Sequence, residues 1–187
     1  PILVNEYNGV APTKFLSGTG TDVFFGRILG NGGDWFELVV VEDHLDLRGY
    51  KVVVSDNSGA TSATLTFTGA PLLSDLRSGT IITVSGDLPT DVGYDPAAGD
   101  WWINLRAHTA ADGAYISNVN FSVSHQNTQL TIKDSSGSVV FGPAGEGINP
   151  ASGVGNDEVL KLEESPGPAT TAFSGYHDGA SSSFGSA

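Results

Sequence analysis

The chain has 187 residues, with 21 Asp and Glu against 8 Lys and Arg, a formal net charge of -13, and neither Cys nor Met. Disulfides are therefore excluded. No run of Lys or Arg supplies the basic patch with which nucleic-acid binding begins, and no apolar run reaches the roughly 18–20 residues that span a bilayer.

No long window places apolar residues at i, i+3, i+4 and i+7, so helix signals are nearly absent; Leu72 to Arg77 could make a single turn. Strand signals recur instead, as short β-branched or aromatic runs bounded by Gly, Asn, Asp and Pro. Ile2 to Tyr7 opens the series, and Val23-Phe24-Phe25 reads as a short edge strand. Trp35 to Val41 is the strongest run and is expected at the centre of a sheet. Tyr50 to Asp56, Ala63 to Phe67 and Thr80 to Ser85 follow, then Trp101 to Ala107 and Asn120 to Val123. Gln129 to Asp134, Val139 to Phe141 and Glu158 to Glu163 complete the set.

Asp56-Asn57-Ser58-Gly59 and Asp134-Ser135-Ser136-Gly137 predict tight hairpins, with Asp opening the turn and Gly where positive φ is needed. Many short strands joined by frequent turns imply a two-sheet sandwich, which buries both inner faces. Pro166-Gly167-Pro168 stops the last strand. Residues 165–187 then read as an ordered coil whose Phe173, Tyr176 and Phe184 are tacked onto the sandwich. No internal repeat or second domain is evident, and the length suits one domain over 1–187. The start at Pro1, running straight into a strand-like segment, suggests a processed chain or an excised domain.

Three motifs carry a resemblance. Ile2-Leu3-Val4-Asn5-Glu6-Tyr7 is similar to the opening I-x-I-N-E-I strand of lamin tail domains, and Gly33-Asp34-Trp35-Phe36-Glu37-Leu38 to that family's D-W-I-E-L strand. Leu45-Asp46-Leu47-Arg48-Gly49-Tyr50 looks like its V-D-L-S-G-W turn and strand. Residues 178–185 resemble the loop that often ends the bacterial versions. The likeness covers residues 1–60 well, while residues 86–128 match nothing in the family and read as an insertion. The resemblance implies an immunoglobulin-like two-sheet β-sandwich, of a family usually found in large exported bacterial proteins and not known as enzymes.

Two constellations stand out as candidate sites. Glu6 and Glu37 lie in otherwise apolar strands, where a carboxylate needs compensation. They either cap backbone N–H groups or pair with Arg48 or Arg27, or they join Asn5, Asp34 and Asp56 around Ca²⁺, which takes several oxygen ligands. Catalysis by the pair as acid and base is a third reading and needs a cleft. Asp100-Trp101-Trp102 is the second constellation. Neighbouring strand residues point to opposite faces, so one tryptophan is expected inside and the other exposed as a platform for a sugar ring, with Tyr94 and Asp95 contributing. The alternative is that both are buried, one of them beneath the tail aromatics.

His44, His108, His125 and His177 make no H-x-x-x-H or H-E-x-x-H pair. Gly30-Asn31-Gly32-Gly33 has no following Lys or helix and reads as a loop, not a phosphate cradle. The expectation is therefore a secreted, noncatalytic module that attaches a larger protein or cell to a surface or polysaccharide, with Ca²⁺ in a structural role. A building block of an extracellular fibre, coat or matrix, partnered by copies of itself, is the alternative. A carboxylate-dependent hydrolase is the weakest reading. Neither nucleic acid nor membrane insertion is expected.

Overall fold

The alternating segments form an all-β chain, and the computed structural model describes residues 1–118, 120–123 and 127–186 of it. In chain order the strands are β1 (Ile2–Asn8), β2 (Thr21–Asp22), β3 (Trp35–Val40), β4 (Lys51–Ser55), β5 (Thr61–Phe67), β6 (Ile81–Ser85) and β7 (Trp102–Arg106). They continue with β8 (Ile116–Ser117), β9 (Gln129–Lys133), β10 (Val139–Gly145), β11 (Val159–Leu162), β12 (Tyr176–Gly179) and β13 (Ser181–Ser182). Six strands, in the order β12-β11-β1-β3-β6-β7, make one sheet, and β10-β9-β4-β5-β8 make the other. All ladders in these two sheets are antiparallel except β6–β7. As expected, Trp35–Val40 lies in the interior of its sheet, between β1 and β6.

The two sheets share one core. Phe36, Leu38 and Val40 of β3, with Ile82, Val84, Ile103 and Leu105 beside them, are buried in one cluster with Val52, Val54, Leu65, Leu130 and Ile132 of the second sheet. Burying each such side chain contributes about 1.5–3 kcal/mol, so this shared interior holds the sandwich together. Both predicted hairpin turns form. The Asp56 carboxylate accepts from the backbone N–H of Ser58 and Ala60, both at 2.9 Å, and Gly59 takes φ 85. Asp134 does the same for Ser136 and Ser138, with Gly137 at φ 92.

Two of the expected strands do not form. Val23 to Phe25 is a turn, because the Asp22 carboxylate takes the N–H groups of Phe24 and Phe25 and ends the short strand there. Asn120 to Val123 joins no ladder; Phe121 packs against Phe36 at 5.3 Å, and the strand forms earlier, at β8. The single turn at Leu72 to Arg77 is a 3-10 turn over Pro71–Ser74. Residues 165–187 are not all coil, since they supply β12 and β13. Residues 86–128, read as an insertion, contribute β7 and β8, an edge strand of each sheet.

The face of the six-stranded sheet that points away from the core is also covered. Glu6, Trp35, Glu37, Thr83, Ser85 and Asn104 stand on it and are buried. The cover is the small parallel pair β2–β13 with its flanking loops. Its centre is Phe184, whose ring lies 4.9 to 5.9 Å from those of Phe25, Trp35, Phe24 and Trp102.

Candidate binding cleft and the buried carboxylate pair

Residues Gly99 to Trp102 turn the chain into β7, and this turn sends the two tryptophans to different environments. Trp102 is half-buried under the cover, its indole N–H donating to Thr83 Oγ1 at 2.9 Å. Trp101, one residue before the strand, is 41% exposed. Its ring lies over Gly79, where an added Cβ would meet Trp101 Cε3 at 3.8 Å. One tryptophan is thus covered by the tail aromatics and the other open to solvent.

Trp101 lines a cleft of about 520 Å³ with Tyr94, Asp75, Arg77, Asp95, Pro96 and Ala97. The elements beneath fix its walls. The Tyr94 hydroxyl accepts the Arg77 backbone N–H at 3.2 Å and shares a hydrogen bond with Thr80 Oγ1 at 2.8 Å. Asp95 caps the 3-10 turn Pro96–Ala98 by accepting from the N–H groups of Ala97 and Ala98. Arg77 Nε donates to Asp43 at 3.2 Å, and Asp75 lies 2.8 Å from His44 Nδ1. Asp100 shapes the turn and does not line the cleft: its carboxylate accepts the Trp102 backbone N–H at 3.2 Å, and its backbone pairs with Asp95.

Tyr94 and Trp101 were expected together and are together. Asp75 and Arg77 were missed. Their only signal was a pair of charges on a short turn that the sequence does not place near residue 101.

The Glu6–Glu37 pair is a different kind of site. β1 and β3 pair in a register that sets the two residues opposite one another. Glu6 accepts the Ser183 N–H at 3.1 Å and the Ser183 hydroxyl at 2.9 Å. Glu37 accepts the Asn5 side-chain amide at 2.6 Å and the Gly185 N–H at 2.7 Å. Lys161 stands opposite Glu6 on β11 and donates to Ser183 Oγ at 2.6 Å. Burial raises the Glu6 carboxyl to about 7, against the pull of Lys161. Burial, with the neighbouring Glu6, pushes Glu37 well above the usual carboxylate range.

This is the capping arrangement, with the tail as donor. The expected arginine partners lie elsewhere: Arg27 donates to the carbonyls of Leu16, Gly18 and Gly20, and Arg48 pairs with Asp46 at 2.7 Å.

The four carboxylates considered for calcium do not converge. Glu6 and Glu37 meet under the tail, Asp34 accepts the Val123 N–H at 2.8 Å beside another cavity, and Asp56 sits in the β4–β5 turn of the other sheet. Among the described residues no three His, Asp or Glu side chains are grouped so as to hold a metal ion. His125 lies outside the described residues. No helix among the described residues is long and apolar enough to cross a membrane.

No family model, no curated protein and no solved structure matches this chain.

Proposed function

We propose that this chain is a noncatalytic binding module that attaches a larger protein or a cell to an extracellular polysaccharide through the Trp101 cleft. One observation carries the reading: an exposed indole and an anchored tyrosine line one cleft together with Asp75, Arg77 and Asp95. An aromatic ring offers a flat apolar face, and a few fixed polar groups around it give orientation. That combination matches a sugar ring, which has an apolar C–H face and a rim of hydroxyls. The acids of the cleft are engaged with His44 and with the Pro96–Ala98 turn, which suits holding a ligand better than turning one over.

Placement outside the cell is supported by the acidic composition, low in charged residues and rich in Gly, and by the likeness of residues 1–60 to lamin tail domains. The test is electrophoresis through native gels cast with individual neutral and acidic polysaccharides. Retardation in at least one gel, reversed by soluble fragments of that polymer, is the expected result. Unretarded migration in all of them would remove the proposal.

A further inference from the structure

A second cavity, of about 740 Å³, is separate from the Trp101 cleft and lies at the Gly30–Gly33 loop. Its walls are apolar, formed by Val10, Pro12, Phe25, Ile28, Leu29 and Leu88. Ile28 and Leu29 remain 42% and 54% exposed at their positions. Its size falls within the roughly 300–1,000 Å³ of small-molecule sites.

The glycines make the shape. Gly32 lets the Phe25 ring lie against the backbone, where an added Cβ would sit 2.3 Å from the ring. Gly33 gives the same closeness to Asp87, whose Oδ2 would be 2.5 Å from such an atom. Two carboxylates, Asp34 and Asp87, therefore share one cavity. Asp34 Oδ1 accepts the Val123 N–H. Neither acid is in an ion pair among the described residues, and the nearby Arg27 is held by three carbonyls.

We propose that this cavity binds a small organic cation, an ammonium head on an apolar chain, with the head between Asp34 and Asp87 and the chain along Ile28, Leu29 and Phe25. An anion is excluded by the two like charges. A hard divalent ion needs more oxygen ligands than two carboxylates supply. A neutral apolar molecule would fill the walls but leave both acids uncompensated as they lose water. Burial and the neighbouring Asp87 already hold the Asp34 carboxyl above its ordinary range, a strain that a bound cation relieves.

The probes are butyl-, hexyl- and octylammonium, titrated against the whole chain by calorimetry, with the matching alcohols and carboxylates as controls. Binding should tighten about two- to fourfold for each added methylene, and the alcohols should bind at least about tenfold more weakly than the amines. Asp87 is exposed, so Asp87→Asn should fold normally and lose most of the preference for amine over alcohol. A second variant, Leu29→Ser, should flatten the dependence on chain length while keeping the preference for amines. Equal binding of amines and alcohols, an unchanged preference in Asp87→Asn, or no binding of any amine would each overturn the proposal.

Discussion

Glu6 and Glu37 face each other across the β1–β3 ladder, and each accepts a backbone N–H from the same short tail segment, Ser183 for one and Gly185 for the other. Two buried carboxyls side by side are accommodated because donors from Asn5, Ser183 and Gly185 surround them, Lys161 stands beside Glu6, and burial favours the protonated form of the pair over two like charges. The pair thus couples the position of the tail to the centre of the larger sheet.

This coupling predicts an unusual pH dependence of stability. The Glu6 carboxyl lies near 7 in the folded chain against an ordinary value of 4.5, and Glu37 is raised as well. The folded state therefore binds protons more tightly than the unfolded one. Stability from this source is fully present below about 4.5 and is lost as pH rises through about 7. Melting at pH 5 should exceed melting at pH 8 by several degrees, and Glu6→Gln should shrink the difference. A midpoint that rises over this interval would contradict the raised carboxyls.

The cover is expected to contribute to stability and not merely to shield the sheet. Phe184 is buried against four aromatic rings. Phe184→Ala should destabilise the chain by about 3–5 kcal/mol in denaturant unfolding. Phe173, 76% exposed in the same tail, should tolerate alanine within about 0.5 kcal/mol. Equal effects from the two would mean that the tail is not seated as described.

Much of this architecture is legible in the sequence, and the failures have physical causes. The strands of the sandwich follow from period-two alternation, and the Asp-initiated turns follow from side-chain capping of their own loops. Glu37, Thr83 and Asn104 alternate with apolar neighbours as residues on a solvent face would, yet they are buried, Glu37 against Gly185 of the tail, Thr83 against the Trp102 indole and Asn104 against the carbonyl of Pro89. Local pattern cannot distinguish water from a polar cover as the partner of such a face. Val23-Phe24-Phe25 has strand composition, but the Asp22 carboxylate captures its N–H groups and converts it to a turn. Trp101 and Tyr94 were readable as neighbours because they are close in the chain, whereas Asp75 and Arg77 reach the cleft only through tertiary folding.

The hairpin aspartates supply a check on calcium. Asp56 uses Oδ1 to close its own turn and is far along the chain from the Glu6–Glu37 pair, on the other sheet. Asp56→Ala should lower stability by roughly 1 kcal/mol, the scale of a lost capping bond. EDTA should leave the melting midpoint of the parent chain unchanged, since a ligand bound only to the native state must raise it. A midpoint that drops in EDTA and returns with Ca²⁺ would restore a metal to the account.

The edge of the smaller sheet predicts the assembly state. β10 carries exposed Val139 and Val140, but its ladder is interrupted twice and Pro143 lacks a donor. Bulges and proline blunt an edge against pairing with a second copy. The chain should sediment as a monomer at tens of micromolar concentration. Reversible oligomers under those conditions would favour the building-block reading instead.

The cleft itself is tested most directly by comparing the adjacent tryptophans. With an oligosaccharide cut from a polymer that retards the chain, calorimetry should show that Trp101→Ala weakens binding by roughly tenfold or more while its melting midpoint stays near the parent value. Trp102→Ala should do the reverse, melting lower because its indole leaves Thr83 and Phe184, yet binding nearly as the parent does while folded. Parent-like affinity in a folded Trp101→Ala chain would contradict the proposal that this exposed indole holds the sugar.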